Sequence, residues 1–473
     1  MHVIIGLEIH CQLNTATKLF CGCSTDYRDD PPNTHVCPVC LALPGALPRV
    51  NKKAVEYALR VAKALNLEVA EECEFSRKNY FYPDLPKGYQ ITQYDRPLAE
   101  RGVVEIEADD GTPKEVRITR IHMEEDPGRL VHKSGRDRAG YSLVDYNRSG
   151  IPLIEIVTEP DLRSPKEARR FLNKLRNTLE YLDVFDGERE GAIRVDANIS
   201  LEGHNRVECK NISSYKGVEK ALTFEITRQK NQIARGHDIT RETRHFNEGR
   251  GITMSSRSKE EETDYRYFPE PDLRPLRVRD WLDDITLPEL PDARKARFVA
   301  QYGISHNHAR TLTGDMKLAN FFEKVAGDDP VLAATWVADT LLGELNYRDM
   351  RIDRVPPAHF ADLLVLLRAD AITDRAGVDV LRVMLDEGAA GEEMELPSAV
   401  VDRLGLRKAA GDEFDEVAAQ VVEAHPDAVA DYQNGTGGAL NFLVGQAMRK
   451  TRGRADARDL GRRIKELLEN KEA

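Results

Sequence analysis

Apolar and polar residues alternate along residues 3–10, with Ile5, Leu7 and Ile9 on one side and Gly6, Glu8 and His10 on the other. Successive side chains of a strand point to opposite faces, so the pattern predicts a strand with one apolar and one polar face. It recurs over 116–126, where Thr119, Ile121 and Met123 oppose Arg120, His122 and Glu124. It recurs again over 193–201, where Ile193, Val195, Ala197, Ile199 and Leu201 oppose Arg194, Asp196, Asn198 and Ser200. Over 151–159, Glu155 and Glu159 align with Leu153 and Val157; over 206–212, Arg206, Glu208 and Lys210 share a face. Elsewhere the period becomes helical. Residues 51–67 place Val55, Ala58, Ala62 and Leu65 at helical spacing. Ser164, Pro165 and Glu167 read as an N-cap, a first-turn proline and a capping-box acid, ahead of the stripe Phe171, Leu175, Leu179 and Leu182. A third helix runs from about 217 to 234 and stops near Gly236.

Beyond Leu287-Pro-Glu-Leu-Pro291, helical periodicity replaces strand signals, with further punctuation at Val355-Pro-Pro357 and near Gly405. The expectation is an α+β chain: an antiparallel-sheet part over 1–292, a helical domain over 293–405 and a small helical tail over 406–473. In the tail, a Gly-rich stretch at 435–438 leads into a small helix, and residues 449–473 hold nine Lys/Arg against five Asp/Glu. That excess, Arg449, Lys450, Arg452, Arg454 and Arg458 among it, reads either as a solvated helix or as a contact for a phosphate backbone.

Composition narrows the picture. A chain of 473 residues has room for about three domains. Its 41% hydrophobic content suits ordinary cores, and a net charge of −12 confines any nucleic-acid contact to a local basic surface. The opening MHVIIGLEIHCQL lacks a basic segment followed by a long apolar run, and no stretch approaches the ~20 apolar residues of a membrane span. A soluble, cytoplasmic protein is expected.

The polar faces carry the chemistry. An antiparallel sheet with one wet side would alternate in the same way. These faces, however, hold Glu, Asp, Asn, Arg and His, and histidine alternates with carboxylate at Glu8/His10 and at His122/Glu124. Carboxylates with an imidazole suit Mg²⁺, and neighbouring Arg and Lys suit phosphate oxygens. Metal-assisted phosphoryl transfer follows as a candidate, with a metal-dependent phosphodiesterase or nuclease and a non-catalytic nucleic-acid-binding adaptor as alternatives. No P-loop is present, so a nucleotide would have to bind on the sheet face. Cys21, Cys23, Cys37 and Cys40 form a C-x-C…C-x-x-C set whose spacing fits a structural Zn²⁺. The aromatic runs near 79–84 and 264–272 suit either packing or a wall for an adenine or a tRNA end.

Long blocks of the chain resemble a known family: GLEIHCQL (6–13), RKNYFYPDLPKGYQITQYDRPL (77–98), ITRIHMEEDPG (118–128), LVDYNRSGIPLIEIVTEPD (143–161), RVDANISL (194–201), DYRYFPEPDL (264–273) and NFLVGQAMRKTRGRA (441–455). They are similar to the B subunit of the tRNA-dependent amidotransferase. The resemblance implies an N-terminal cradle related to glutamine synthetase and guanidino kinases, then a helical domain and a tail domain that binds tRNA. It implies that ATP and Mg²⁺ are used to phosphorylate the side-chain carboxylate of misacylated Asp-tRNA(Asn) or Glu-tRNA(Gln). Ammonia from an amidase A subunit then displaces the phosphate, and a small C subunit holds the two larger subunits together. A non-discriminating aminoacyl-tRNA synthetase is a further implied partner. By this resemblance Glu8, His10, Glu124 and Glu155 are the expected Mg²⁺ ligands, with Glu125 as the alternative to Glu124. Arg194, Asp196, Asn198 and Lys210, assigned mainly from their shared faces, are expected along the ATP phosphates. The cysteine quartet occurs in only part of the family, which implies a structural role for its zinc.

Overall fold

A computed structural model describes residues 1–132, 141–187, 189, 191–258, 265–408, 411–434, 438–451 and 457–470. It divides into two compact units, Met1–Leu290 and Pro291–Ala473.

The first unit is built on β1 (Val3–Gln12), α1 (Lys52–Ala64), β2 (Glu68–Val69), β3 (Ser76–Asn79), β4 (Tyr89–Thr92), β5 (Ala99–Glu107), β6 (Pro113–Glu125), β7 (Arg129–His132), β8 (Ser142–Asp145), β9 (Pro152–Thr158), α2 (Pro165–Tyr181), β10 (Ile193–Leu201), β11 (Val207–Ile212), α3 (Tyr215–Ala234), β12 (Glu242–Asn247), β13 (Ile252–Ser258) and β14 (Phe268–Pro269). Nine strands form one sheet in the order β13-β12-β11-β10-β1-β9-β6-β5-β2. Every pairing in it is antiparallel except β11 with β12, which run parallel. This departs from a purely antiparallel sheet for a mechanical reason. A parallel neighbour needs a crossover, and the α3 helix supplies it.

The alternation sets which face is covered. Ile5, Leu7 and Ile9 are buried in a core shared with Val55, Leu59, Phe171, Leu175, Val218 and Leu222 from the three helices. Full burial of each large aliphatic side chain contributes about 1.5–3 kcal/mol, so the apolar stripes fix the helices to this face. The helices begin where the cap chemistry says they should. Asn51 accepts from the Lys53 and Ala54 amides, Ser164 from Glu167, and Ser214 from Gly217. The polar face of β1, β9, β6, β10 and β11 is left free to carry the site. A small sheet, β14-β3-β4, brings the two aromatic segments together; Asp264, at the start of one of them, lies outside the described residues.

The second unit is helical. α4 (Pro291–Tyr302), α5 (His306–Thr313), α6 (Met316–Val325), α7 (Pro330–Thr335), α8 (Leu342–Tyr347), α9 (Pro357–Arg368), α10 (Asp374–Ala390) and α11 (Pro397–Leu404) surround one core that includes Phe298, Phe322, Phe360 and Leu381. A π-helical stretch, Trp336–Leu341, joins α7 to α8. A separate core of Phe414, Val421, Leu443, Leu460, Ile464 and Leu468 belongs to α12 (Gly411–Ala424), α13 (Pro426–Gln433), α14 (Ala439–Lys450) and α15 (Ala457–Asn470). Of the basic residues in the tail, Arg449 and Lys450 close α14 and Arg458 lies on α15. Arg452, Arg454 and the residues at 435–437 lie outside the described residues. Among the described residues, no helix is long and apolar enough to cross a membrane.

Candidate metal and phosphate site

The site is assembled by register. His10 of β1 sits opposite Glu155 of β9, and Glu155 sits opposite His122 of β6, so the three lie in one cross-strand row. His10 Nε2 is 3.3 Å from Glu155 Oε2 and 3.5 Å from Glu124 Oε1. His122 Nε2 approaches the same Glu155 oxygen at 3.2 Å. His10, Glu124 and Glu155 each offer a ligand atom within 4.8 Å of the others. Burial alone would raise Glu155, but His122 and His10 hold it well below the usual carboxylate range. Burial likewise disfavours a charged His10, yet Glu155 and Glu124 outweigh it and push the imidazole up to about 9.

A second group lies beside the first. Glu8 pairs in register with Asp196, and Glu8, Asp196 and Glu208 again present ligand atoms within 4.8 Å of one another. Lys210 Nζ reaches Asp196 at 2.8 Å and Glu208 at 3.4 Å, while Asn198 donates to Glu8 at 2.8 Å. Burial, with Glu155 and Glu208 nearby, raises the Glu8 carboxyl. Burial opposes charge on Lys210, but Asp196 and Glu208 prevail and raise it.

The expected residues are therefore divided between two neighbouring groups. Glu8 belongs to the second group and not with His10. Glu125 belongs to neither: it follows Glu124 by one residue and so faces the other way. There it pairs with Lys87 at 2.7 Å and accepts from the Ile91 amide at 2.9 Å. Arg194 does not reach the second group either; it pairs with fully buried Asp126 at 2.5 Å. Asp126 and Glu208 were missed as site residues. For Glu208 the signal was present, in its alternation with Lys210. Asp126 extends the series His122, Glu124, but its buried ion pair depends on where β10 lies.

The donor set fits a hard divalent cation. The carboxylates of Glu8, Glu124, Asp126, Glu155, Asp196 and Glu208 outnumber the nearby cations Arg194, Arg148, Lys210 and His10. Among the described residues, Asn198 Oδ1 and His122 Nδ1 are buried and have no hydrogen-bond partner. Buried polar atoms without partners are costly, and an ordered water or a bound ion would satisfy them.

Aromatic rings wall this region. Tyr94 and Tyr267 stack with centroids 4.0 Å apart, Tyr265 meets Tyr267 and Tyr80 edge-on, and Lys78 Nζ lies 4.8 Å from the Tyr265 centroid. Burial, with Glu124 among the neighbouring charges, raises the phenols of Tyr80 and Tyr267. Phe81 and Tyr82, next in the chain, are exposed.

The cysteines form a separate centre. All four Sγ atoms lie within 4.8 Å of one another, and Cys37 and Cys40 are 3.8 Å apart. A tetrahedron with ~2.3 Å zinc–sulfur bonds has an edge of about 3.8 Å, so this cluster could bind a structural metal. A hydrogen bond from Cys21, the Cys37 amide and nearby Lys18 draw the Cys40 thiol down to about 4.

Comparison with known proteins agrees with this layout. The family model described as the GatB/GatE catalytic domain matches residues 3–283, and that described as the GatB domain matches 320–468. Three similar relatives are each named as the B subunit of an aspartyl/glutamyl-tRNA(Asn/Gln) amidotransferase. The one from Methanoregula boonei is 66% identical, covering 99% of this chain and 98% of its own. The one from Methanospirillum hungatei is 65% identical over 100% and 99%, and that from Methanosarcina mazei 57% over 96% of each. With the family model spanning most of the sheet-bearing unit and relatives matching almost end to end, this chain belongs to the GatB/GatE family.

Proposed function

We propose that this chain is the B subunit of an aminoacyl-tRNA amidotransferase, converting misacylated Asp-tRNA(Asn) or Glu-tRNA(Gln) to the amidated form with ATP. The observation that carries the reading is the pair of acidic groups on one sheet face, with Lys210 and Arg194 beside them, in a chain with this kinship. A carboxylate is a poor electrophile because oxide is a poor leaving group. The substrate's carboxylate oxygen attacks the γ-phosphorus of ATP, a P–O bond forms, and the β–γ bridging bond breaks to release ADP. Ammonia then attacks the acyl carbon; a C–N bond forms, the C–O bond to phosphate breaks and a proton leaves the nitrogen.

In this reading His10, Glu124 and Glu155 hold one Mg²⁺, and Glu8, Asp196 and Glu208 a second cation position shared with Lys210. Bound Mg²⁺ neutralises charge that develops on the transferring phosphoryl group. Arg194, Asn198 and Lys210 orient the phosphates, and the tyrosine wall limits water. Ammonia comes from an amidase A subunit, held by a small C subunit. The four cysteines hold a structural Zn²⁺. The sheet unit would be a cradle related to glutamine synthetase, and the four-helix tail would contact tRNA.

The test is ADP release by the chain assembled with its amidase and small partners, given Mg²⁺-ATP and ammonium. ADP should form with misacylated tRNA and not with uncharged tRNA. ADP formation indifferent to the aminoacyl group would overturn the reading.

A further inference from the structure

Lys18 is completely buried, and it has no carboxylate partner among the described residues. Its ammonium donates to two neutral groups, the His35 carbonyl at 2.8 Å and the Tyr146 carbonyl at 3.4 Å. A buried charge normally has an anion, because desolvating it alone is expensive. Lys87 offers the contrast. It lines the same cavity, about 150 Å³ and open to solvent, and pairs with Glu125 at 2.7 Å.

Of the anionic groups on that cavity, Glu125 is paired with Lys87 and Asp272 with Arg77, which leaves the cysteine cluster for Lys18. Cys21 and Cys40 line that cavity with it, and both Lys18 Cδ and Cys40 Cβ lie within 4 Å of the space beside Gly150. Four thiolates around one Zn²⁺ carry a net charge of about −2. The Cys37 amide donates to Cys40 Sγ at 3.1 Å and offsets part of this. It does not remove a full charge. We propose that Lys18 is a positioning residue of the zinc centre: its ammonium is the counter-charge of the tetrathiolate, and through Tyr146 it ties the cysteine loop to the segment that leads into β9. This rests on the zinc reading above.

The contacts around Lys18 favour such a tie. The loop between the cysteine pairs is already anchored to that segment: Asn33 and His35 amides donate to Asp145 and Asn147, and Asn147 donates to the Pro31 carbonyl. Lys18 adds to this seam a buried cation held, among the described residues, by backbone carbonyls alone.

The test uses the full chain. Zinc content of the wild type decides the zinc reading by itself; about one zinc per chain is expected, and none would overturn both statements. Zinc affinity is then measured against a chelator in Lys18→Met, Lys18→Arg and Lys87→Met. Loss of a group that supports a metal ligand typically weakens binding about 10–100-fold. That loss is expected for Lys18→Met, partial recovery for Lys18→Arg, and a change under about twofold for Lys87→Met. Thermal stability separates this role from packing. In zinc-loaded chain Lys18→Met should lower Tm. In a background with Cys21, Cys23, Cys37 and Cys40 all changed to Ser, where the counter-anion is gone, the same substitution should leave Tm unchanged or raise it. Unchanged zinc affinity, or an equal loss of Tm in both backgrounds, would overturn the proposal; the comparison in the serine background still decides if Lys18→Met purifies without metal.

Discussion

Two acidic groups share one face of one sheet, and they are neutralised in different ways. His10, Glu124 and Glu155 are held by imidazoles, from His10 itself and from His122. Asp196 and Glu208 are held by Lys210, and Glu8 accepts from Asn198. An imidazole can release its proton and become a metal ligand, whereas an ammonium cannot bind metal and must be displaced or remain. In the proposed reading the first group exchanges its counter-charge for a cation. The second comes with one attached. Similar composition does not imply similar function; the nature of the counter-charge separates them.

The largest effect should come from the first group. Glu124→Gln keeps the shape and removes the charge, and it should lower kcat/KM for tRNA-dependent ADP release by about 10³-fold, with weaker Mg²⁺ binding measured by titration. A near-normal rate would mean that this group is structural and that the chemistry belongs to its neighbour.

One residue away, the outcome should change in kind. Glu125 faces the opposite side and is paired with Lys87. Glu125→Gln strands that ammonium. Breaking a fully buried pair costs about 3–5 kcal/mol, but Lys87 borders an open cavity, so about 2 kcal/mol of stability is expected to be lost, read by chemical denaturation. Mg²⁺ affinity should stay within about twofold. Weakened Mg²⁺ binding in this variant would bring Glu125 back among the ligands.

The contrast between Glu124 and Glu125 shows how far sequence can reach. Alternation in β1, β6 and β10 assigned faces, and Ser164-Pro165 with Glu167 marked the start of α2, because both are local rules of backbone geometry. Face assignment placed His122 with Glu124, but it could not decide between Glu124 and Glu125 until the strand's neighbours were known. Strand order is not local. β1 lies between β10 and β9, which brings His10 to Glu155 across more than a hundred residues of chain. The division into two groups, the Arg194–Asp126 pair and the parallel β11–β12 pairing all depend on that order. Lys18 had no signal: a lone lysine in ATKLFCGC reads as surface, and only the packing around it reveals a buried charge.

The smallest effect tests the second group and with it the comparison itself. Lys210→Met removes the fixed cation from among Glu8, Asp196 and Glu208. If Lys210 also serves a phosphate oxygen, one charge-assisted hydrogen bond is lost, and KM for ATP should rise about tenfold with a smaller change in kcat. The three carboxylates left behind then repel one another, and a divalent cation can take the vacated place. Excess free Mg²⁺ should therefore restore part of the lost ATP affinity in Lys210→Met. It should do less for Glu124→Gln, where a ligand and not a competing cation has been removed. Equal rescue of both variants, or of neither, would mean that the two groups act as one acidic surface, and that the difference between an imidazole and an ammonium has no bearing on what each holds.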